Sequence, residues 1–262
     1  MTHRLESFGL SDVGKRREHN EDAFHIDGQM SFFIVADGMG GAAAGEVASA
    51  EAVEQVLGMV GRGYDKVKRF IEEPTDDNRH AVHRLLESAI QMATYMIFGL
   101  AEFDPRQKGM GTTLSALLVA GSTSFVVHVG DSRVYLIRDG RAVQLTEDHT
   151  LVNLQVSLGL ITPEQAKVSR RGNVITRAVG VRDYVQVDNF ELTHQGGDCF
   201  LLCSDGLSEY FDTPEEIPTL LDDNLHDSAQ RCIDMANSKG GKDNITTLLV
   251  RVHAALEQAN FL

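Results

Sequence analysis

The chain of 262 residues is 42% hydrophobic and 24% charged, ordinary proportions for a soluble globular protein large enough to bury a sizeable core. Its formal charge is −14, with 38 acidic against 24 basic residues, which repels phosphate backbones and argues against a nucleic-acid partner. No uncharged apolar run reaches the roughly 18 residues of a membrane span, no apolar h-region opens the chain, and three cysteines (Cys199, Cys203, Cys232) are too few for a disulfide framework; the reading is a cytoplasmic protein with free thiols and no membrane partner.

No repeat, low-complexity tract or linker is visible, so residues 1–262 read as a single domain, and the short stretch after Val252 leaves no regulatory domain to be expected. In chain order, the apolar run 31–37 has strand length and ends at glycines. Residues 41–61 read as a helix. A second helix starts near Thr75, where Thr75, Asp76 and Asp77 can cap and charge its first turn. Val82, Leu85, Leu86, Ala89, Ala93, Met96, Ile97 and Leu100 recur at helical spacing and are expected in the core. From Gly111 the texture changes: TTLSALLVA, SFVVHVGD and RVYLIRDG follow one another with short breaks, as in an antiparallel meander. A short helix is expected after Thr162 and Pro163, strands at DNFELT and DCFLLCSD, a helix over 225–238 and a closing strand over 244–252. Strands interrupted by grouped helices, without regular βαβ alternation, indicate an α+β fold.

Four apolar strands end in, or are preceded by, an aspartate beside Gly, Ser or Asn: Asp37 in IVADGMGG, Asp131 in VHVGDSR, Asp205 in LLCSDGL and Asp243 in GGKDNIT. A fifth acidic cluster, Asn20-Glu21-Asp22, leads into the strand beginning at Ala23. Carboxylates so placed can project into one cleft, where like charges raise each other's pKa unless a cation compensates. Hard divalent ions take carboxylates, carbonyls and water, and the lack of His and Cys beside these aspartates favours Mg2+ or Mn2+ over Zn2+ or copper. Two such ions about 3.5–4 Å apart lower the pKa of a bridging water and stabilise both oxygens of an in-line displacement. Arg17, a few residues before the acidic cluster, is suited to bind a phosphoryl group bidentately.

Each of these elements also has a plainer reading. Asp37-Gly38 alone is a turn signal. Asp131 and Arg133 can form a hairpin ion pair, Asp243-Asn244 a strand-entry turn, and Glu147, Asp148 and His149 a cap for the next segment. His128 alternates with Val127 and Val129 and reads as structural; Cys199 and Cys203 share a strand face and read as core. Residues 38–43 fit GxGxxA, the dinucleotide fingerprint, yet no second strand ending in an acid follows some 20 residues on, and Asp37 would repel a pyrophosphate.

Taken together, GKRREHNED, FIVADGMGG, GMGTTLSALLV, VHVGDSRVYLIRDG, LTEDHTLV, GNVITRAVG, FLLCSDGLSEY and GGKDNITTLLV run in this order over about 11–252. They resemble the metal-dependent serine/threonine protein phosphatases of type 2C, in their compact bacterial form. The resemblance implies a sandwich of two antiparallel β-sheets flanked by helices, in agreement with the α+β texture. It implies hydrolysis of phosphoserine and phosphothreonine on proteins with two Mn2+ or Mg2+ ions, and a third, weaker one. Asp37 then bridges the two ions, the Gly38 carbonyl adds a ligand to one, and Glu21 and Asp22 serve that ion directly or through water. Asp205 and Asp243 hold the other, Arg17 binds phosphate, and Asp131 joins Asp205 at the third. Asn244 follows Asp243 as the family pattern expects. Met39 stands where other members carry His, so the general acid is unassigned; a water on the metals is preferred to His149 or His19. Residues 149–171, with Arg170 and Arg171, resemble the family's flap and are expected to select substrate. The implied partners are phosphoproteins and a cognate serine/threonine kinase. The alternative is a catalytically inactive phosphoprotein-binding module, although every expected acid is present.

Overall fold

A computed structural model describes residues 4–40, 44–167, 169 and 174–254. Strands β1 (Leu5–Asp12), β2 (Asp22–Asp27) and β3 (Phe32–Met39) precede helices α1 (Ala44–Gly63), α2 (Asp65–Glu72) and α3 (Asp76–Phe103). Strands β4 (Gly111–Thr112), β5 (Leu114–Ala120), β6 (Thr123–Val129), β7 (Arg133–Arg138) and β8 (Arg141–Gln144) follow, then α4 (Leu151–Ser157) and α5 (Pro163–Lys167). The chain closes with β9 (Asp188–Thr193), β10 (Cys199–Cys203), α6 (Asp205–Ser208), α7 (Ile217–Leu220), α8 (Leu225–Lys239) and β11 (Ile245–Val252). Among the described residues the strands form two sheets, ordered β1-β11-β10-β7-β8 and β2-β3-β5-β6-β9, with β4 paired to β3.

Period-two alternation divides each central strand between two cores. In β3, Phe33 and Val35 join Leu117 and Val126 of their own sheet and Phe200, Leu202, Leu248 and Val250 of the other in the inter-sheet core. Phe32, Ile34 and Ala36 face the opposite way, onto Val56, Phe70, Leu86 and Ala93 of the first three helices. On the far side, Leu201 and Cys203 of β10 pack with Cys232 and Ile233 of α8. Both faces of each sheet are thus covered, which is why these antiparallel strands read as continuous apolar runs instead of alternating ones. The sandwich of two antiparallel sheets flanked by helices, implied by the resemblance, is the observed architecture.

The three-strand meander expected after Gly111 is not one sheet. Strands β5 and β6 form a hairpin, with Leu114 opposite Val129, but β7 pairs with β10 and β8 across the sandwich. The chain changes sheet at Gly130, whose φ of +113° disfavours any side chain, and a Cβ there would lie 2.5 Å from the Thr113 side chain. This corner carries Asp131 between the sheets.

Thr75 caps α3 as expected, accepting from the Asn78 amide at 3.3 Å. Of the stripe expected in the core, Val82, Leu85, Leu86, Ala89, Ala93 and Ile97 are buried, but Met96 and Leu100 are 39% and 36% exposed. Each directly precedes a buried residue, Ile97 or Ala101, and successive helical positions turn by about 100°, which sets the pair on the flank. Helix α2 was not anticipated; it buries only Val67 and Phe70, too little for a periodic signal. The chain enters α2 directly after α1, so no second strand exists there to complete a dinucleotide unit. Gly41, Ala42 and Ala43 of that fingerprint, and the flap residues Arg170 and Arg171, lie outside the described residues. No described helix is long and apolar enough to cross a membrane.

Candidate metal centre

Each expected acid arrives on a different element. Asp22 opens β2 and stands opposite Asp37 of β3 in the antiparallel register. Asp131 sits in the β6–β7 corner, Asp205 opens α6 immediately after β10, and Asp243 lies just before β11. Burial lifts the Asp37 carboxyl well above the usual carboxylate range, and the charges of Asp22, Asp205, Asp131 and Asp243 add to the rise. Burial, then Asp131, Glu209, Asp243 and Asp22, pushes Asp205 up to about 8. Asp131 is raised to about 6 by burial and by Asp148. Asp22 is also raised to about 6 by burial, against the lowering effect of hydrogen bonds from Thr246 and Ser204. Carboxylates gathered in this way need protons or a cation between them.

The donor set fits a hard cation. Asp22 Oδ1, Asp131 Oδ1 and Asp205 Oδ1 are buried with no hydrogen-bond partner, whereas buried oxygens in folded proteins are normally paired. Oxygen donors of this kind suit Mg2+ or Mn2+. Among the described residues no three His, Cys, Asp or Glu side chains stand together in a group that could hold a metal ion as placed. Two of the acids are held elsewhere: Asp22 Oδ2 accepts from Ser204 Oγ at 2.7 Å and Thr246 Oγ1 at 2.6 Å, and Asp243 Oδ2 accepts from Arg17 Nη2 at 2.7 Å.

The backbone around the acids is closely fitted. A Cβ on Gly38 would lie 2.0 Å from the Gly45 carbonyl oxygen and 2.6 Å from that of Glu21, so β3, the Glu21 loop and α1 meet with no room for a side chain. Gly38 N–H donates to the Glu21 carbonyl at 3.0 Å. Asn244, which is buried, accepts from the Glu21 amide at 2.8 Å and donates to the carbonyls of Val13 at 3.0 Å and His19 at 2.9 Å. It pins the 13–21 loop that carries Arg17. The Arg17 guanidinium is half-exposed and also lies 3.7 Å from Glu21.

The profile of the family described as Protein phosphatase 2C matches residues 14–250. The chain belongs to the protein phosphatase 2C family. Serine/threonine phosphatase stp of Listeria welshimeri is 40% identical over 246 residues, spanning 92% of this chain and 93% of the relative. Serine/threonine protein phosphatase PstP of Mycobacterium tuberculosis is 37% identical over 242 residues, 92% of this chain but 44% of that longer protein. The crystal structure of the PstP catalytic domain in complex with two manganese ions matches with a TM-score of 0.80 at 36% identity, covering 96% of this chain and 100% of that one.

Against this protein phosphatase 2C framework the plainer readings resolve. Arg133 pairs with Asp148 at 2.7 Å and not with Asp131. Thr150, and no residue of the 147–149 trio, caps α4 by accepting from Asn153 N–H at 3.3 Å. His128 is buried against Ser115 at 2.9 Å and is structural, as expected. His149 Nδ1 accepts from Gly130 N–H at 3.0 Å while Nε2 meets Asp188 Oδ2 at 3.0 Å. Both ring nitrogens are engaged, and burial together with Arg177 lowers its pKa, so His149 braces the corner before Asp131 and is poorly placed to protonate a leaving group. Ser204 and Thr246 lie 182 and 224 residues from Asp22 in the chain, separations that leave no local signal in the sequence. Glu209 does carry a local signal, its i,i+4 spacing from Asp205, and its charge acts on both Asp205 and Asp131.

Proposed function

We propose that the chain is a metal-dependent serine/threonine protein phosphatase that hydrolyses phosphomonoesters on phosphorylated proteins. The observation that carries this reading is the set of buried, mutually repelling carboxylates, with three orphaned oxygens, beside the half-exposed Arg17. In this reading Asp37, the Gly38 carbonyl, Asp205 and Asp243 hold two Mn2+ or Mg2+ ions, with Glu21 and Asp22 contributing directly or through water and Asp131 joining Asp205 at a third. When bound, such ions supply a water of lowered pKa and neutralise charge on the phosphoryl oxygens.

The remaining work falls to the chain itself. Arg17 presents its planar fork to the phosphoryl group, which must compete with Asp243 and Glu21 for it. Asn244 fixes the height of the Arg17 loop. Thr113 orients Asp37 from both sides of its peptide, accepting from the Asp37 amide at 2.9 Å through Oγ1 and donating its own N–H to the Asp37 carbonyl at 2.8 Å. Cys199, Cys203 and Cys232 are buried, and burial pushes all three thiols up. None is a nucleophile in this reading, which therefore has no cysteinyl-phosphate step.

The same reading makes residues 1–262 one catalytic domain, supported by the inter-sheet core shared between both sheets. It places the enzyme in the cytoplasm, in keeping with three free thiols, where it reverses a serine/threonine kinase. Residues 149–171 act as its flap, in keeping with the exposed Leu154, Leu158 and Leu160. An inactive binding module would have no reason to keep the full set of acids. The test is hydrolysis of p-nitrophenyl phosphate and a phosphothreonine peptide with Mn2+ or with EDTA. Turnover of both should vanish on chelation and return with Mn2+; folded protein inert with every divalent ion would overturn the reading.

A further inference from the structure

A cavity of about 420 Å³ opens beside the acidic cleft, and none of the residues assigned above to metal or phosphate lines it. Met39, the residue after Gly38, forms one wall, and the segment 175–186 forms the rest, including Arg177, Val181, Arg182, Tyr184 and Val185. That segment lies beyond the flap and is braced by the scaffold. Thr112 and Val179 exchange backbone hydrogen bonds at 3.0 and 2.8 Å, Gln91 of α3 bonds the Val185 backbone, and a Cβ on Gly111 would meet Val181 Cγ2 at 2.5 Å. The cavity is therefore preformed, which limits the ordering cost of binding there.

Its chemistry differs from that of the cleft. Val181 and Tyr184 are 43% and 64% exposed and put apolar surface beside a polar centre. Arg177 is held by Asp188 at 2.8 Å, but Arg182 is exposed and no described acid forms an ion pair with it, although Asp183 adjoins it in the chain. Arg182 is thus a cation with no described ion-pair partner, set beside exposed apolar side chains in a cavity that shares Met39 with β3 of the acidic cleft.

We propose that this cavity is the subsite for the substrate polypeptide beside the phosphoresidue, taking an apolar side chain next to an acidic residue that pairs with Arg182. The proposal rests on the phosphatase reading and places sequence preference outside the flap. It is tested with three phosphothreonine peptides whose flanks are Leu-Asp, Leu-Lys or Ala-Ala, using wild type, Arg182→Glu and Tyr184→Ala with Mn2+. Each kcat/KM is expressed relative to that for p-nitrophenyl phosphate. Wild type should favour the Leu-Asp peptide. Arg182→Glu should cut that relative value about fivefold through KM and favour the Leu-Lys peptide, as expected for loss and reversal of an exposed pairing charge. Tyr184→Ala should narrow the gap between the Leu-Asp and Ala-Ala peptides. Relative values unchanged in both variants would overturn the subsite and leave the phosphatase reading standing, whereas absence of aryl phosphate turnover in wild type would overturn both.

Discussion

Asn244 contributes to the centre through three backbone groups of a distant loop, 223 to 231 residues away in the chain. Removing the side chain leaves the Glu21 amide and the carbonyls of Val13 and His19 without partners, each costing about 1 kcal/mol or more where water cannot replace it. Asn244→Ala is expected to lower stability by roughly 2–3 kcal/mol and to raise KM for phosphoesters, because Arg17 rides on that loop. Chemical denaturation and steady-state kinetics check the two parts; an unchanged KM would mean that Arg17 is positioned by other contacts. The acids themselves were legible in the sequence because a carboxylate between an apolar strand and small residues is a local pattern. What holds them was not. Ser204 and Thr246 reach Asp22, and Thr113 reaches Asp37, only through the tertiary fold.

At the scale of elements, the strands were readable because a sheet covered on both faces leaves long apolar runs. The change of sheet at Gly130 was not, since β6 and β7 carry the same apolar texture whether or not they pair. Helix α3 shows the limit of counting apolar residues at helical spacing. Leu86 is 1% exposed within the helix-facing core, while Met96 lies on the flank. Leu86→Ala should therefore cost about 2–5 kcal/mol, and Met96→Lys should stay within about 0.5 kcal/mol of wild type. Urea denaturation of the two variants measures both, and a cost above 2 kcal/mol for Met96→Lys would place that residue in a core.

Across the whole molecule, the acidic cleft couples folding to protons and cations. Burial pushes Asp22 and Asp131 up to about 6 and Asp205 up to about 8, above the ordinary value of 3.8. Between the ordinary value and these raised values the folded state holds more protons than the unfolded one. Stability of the ion-free protein should therefore fall as pH rises through that window. A cation displaces those protons, so its affinity should rise over the same range. Calorimetric titration of Mn2+ into wild type and Asp37→Asn at pH 6 and pH 8 tests whether the acidic cleft is a two-ion centre. Such a centre requires two or more ions on wild type, bound more tightly at pH 8, and loss of at least one ion together with phosphatase turnover in Asp37→Asn. Equal Mn2+ binding by the two proteins, with turnover retained in the variant, would contradict it.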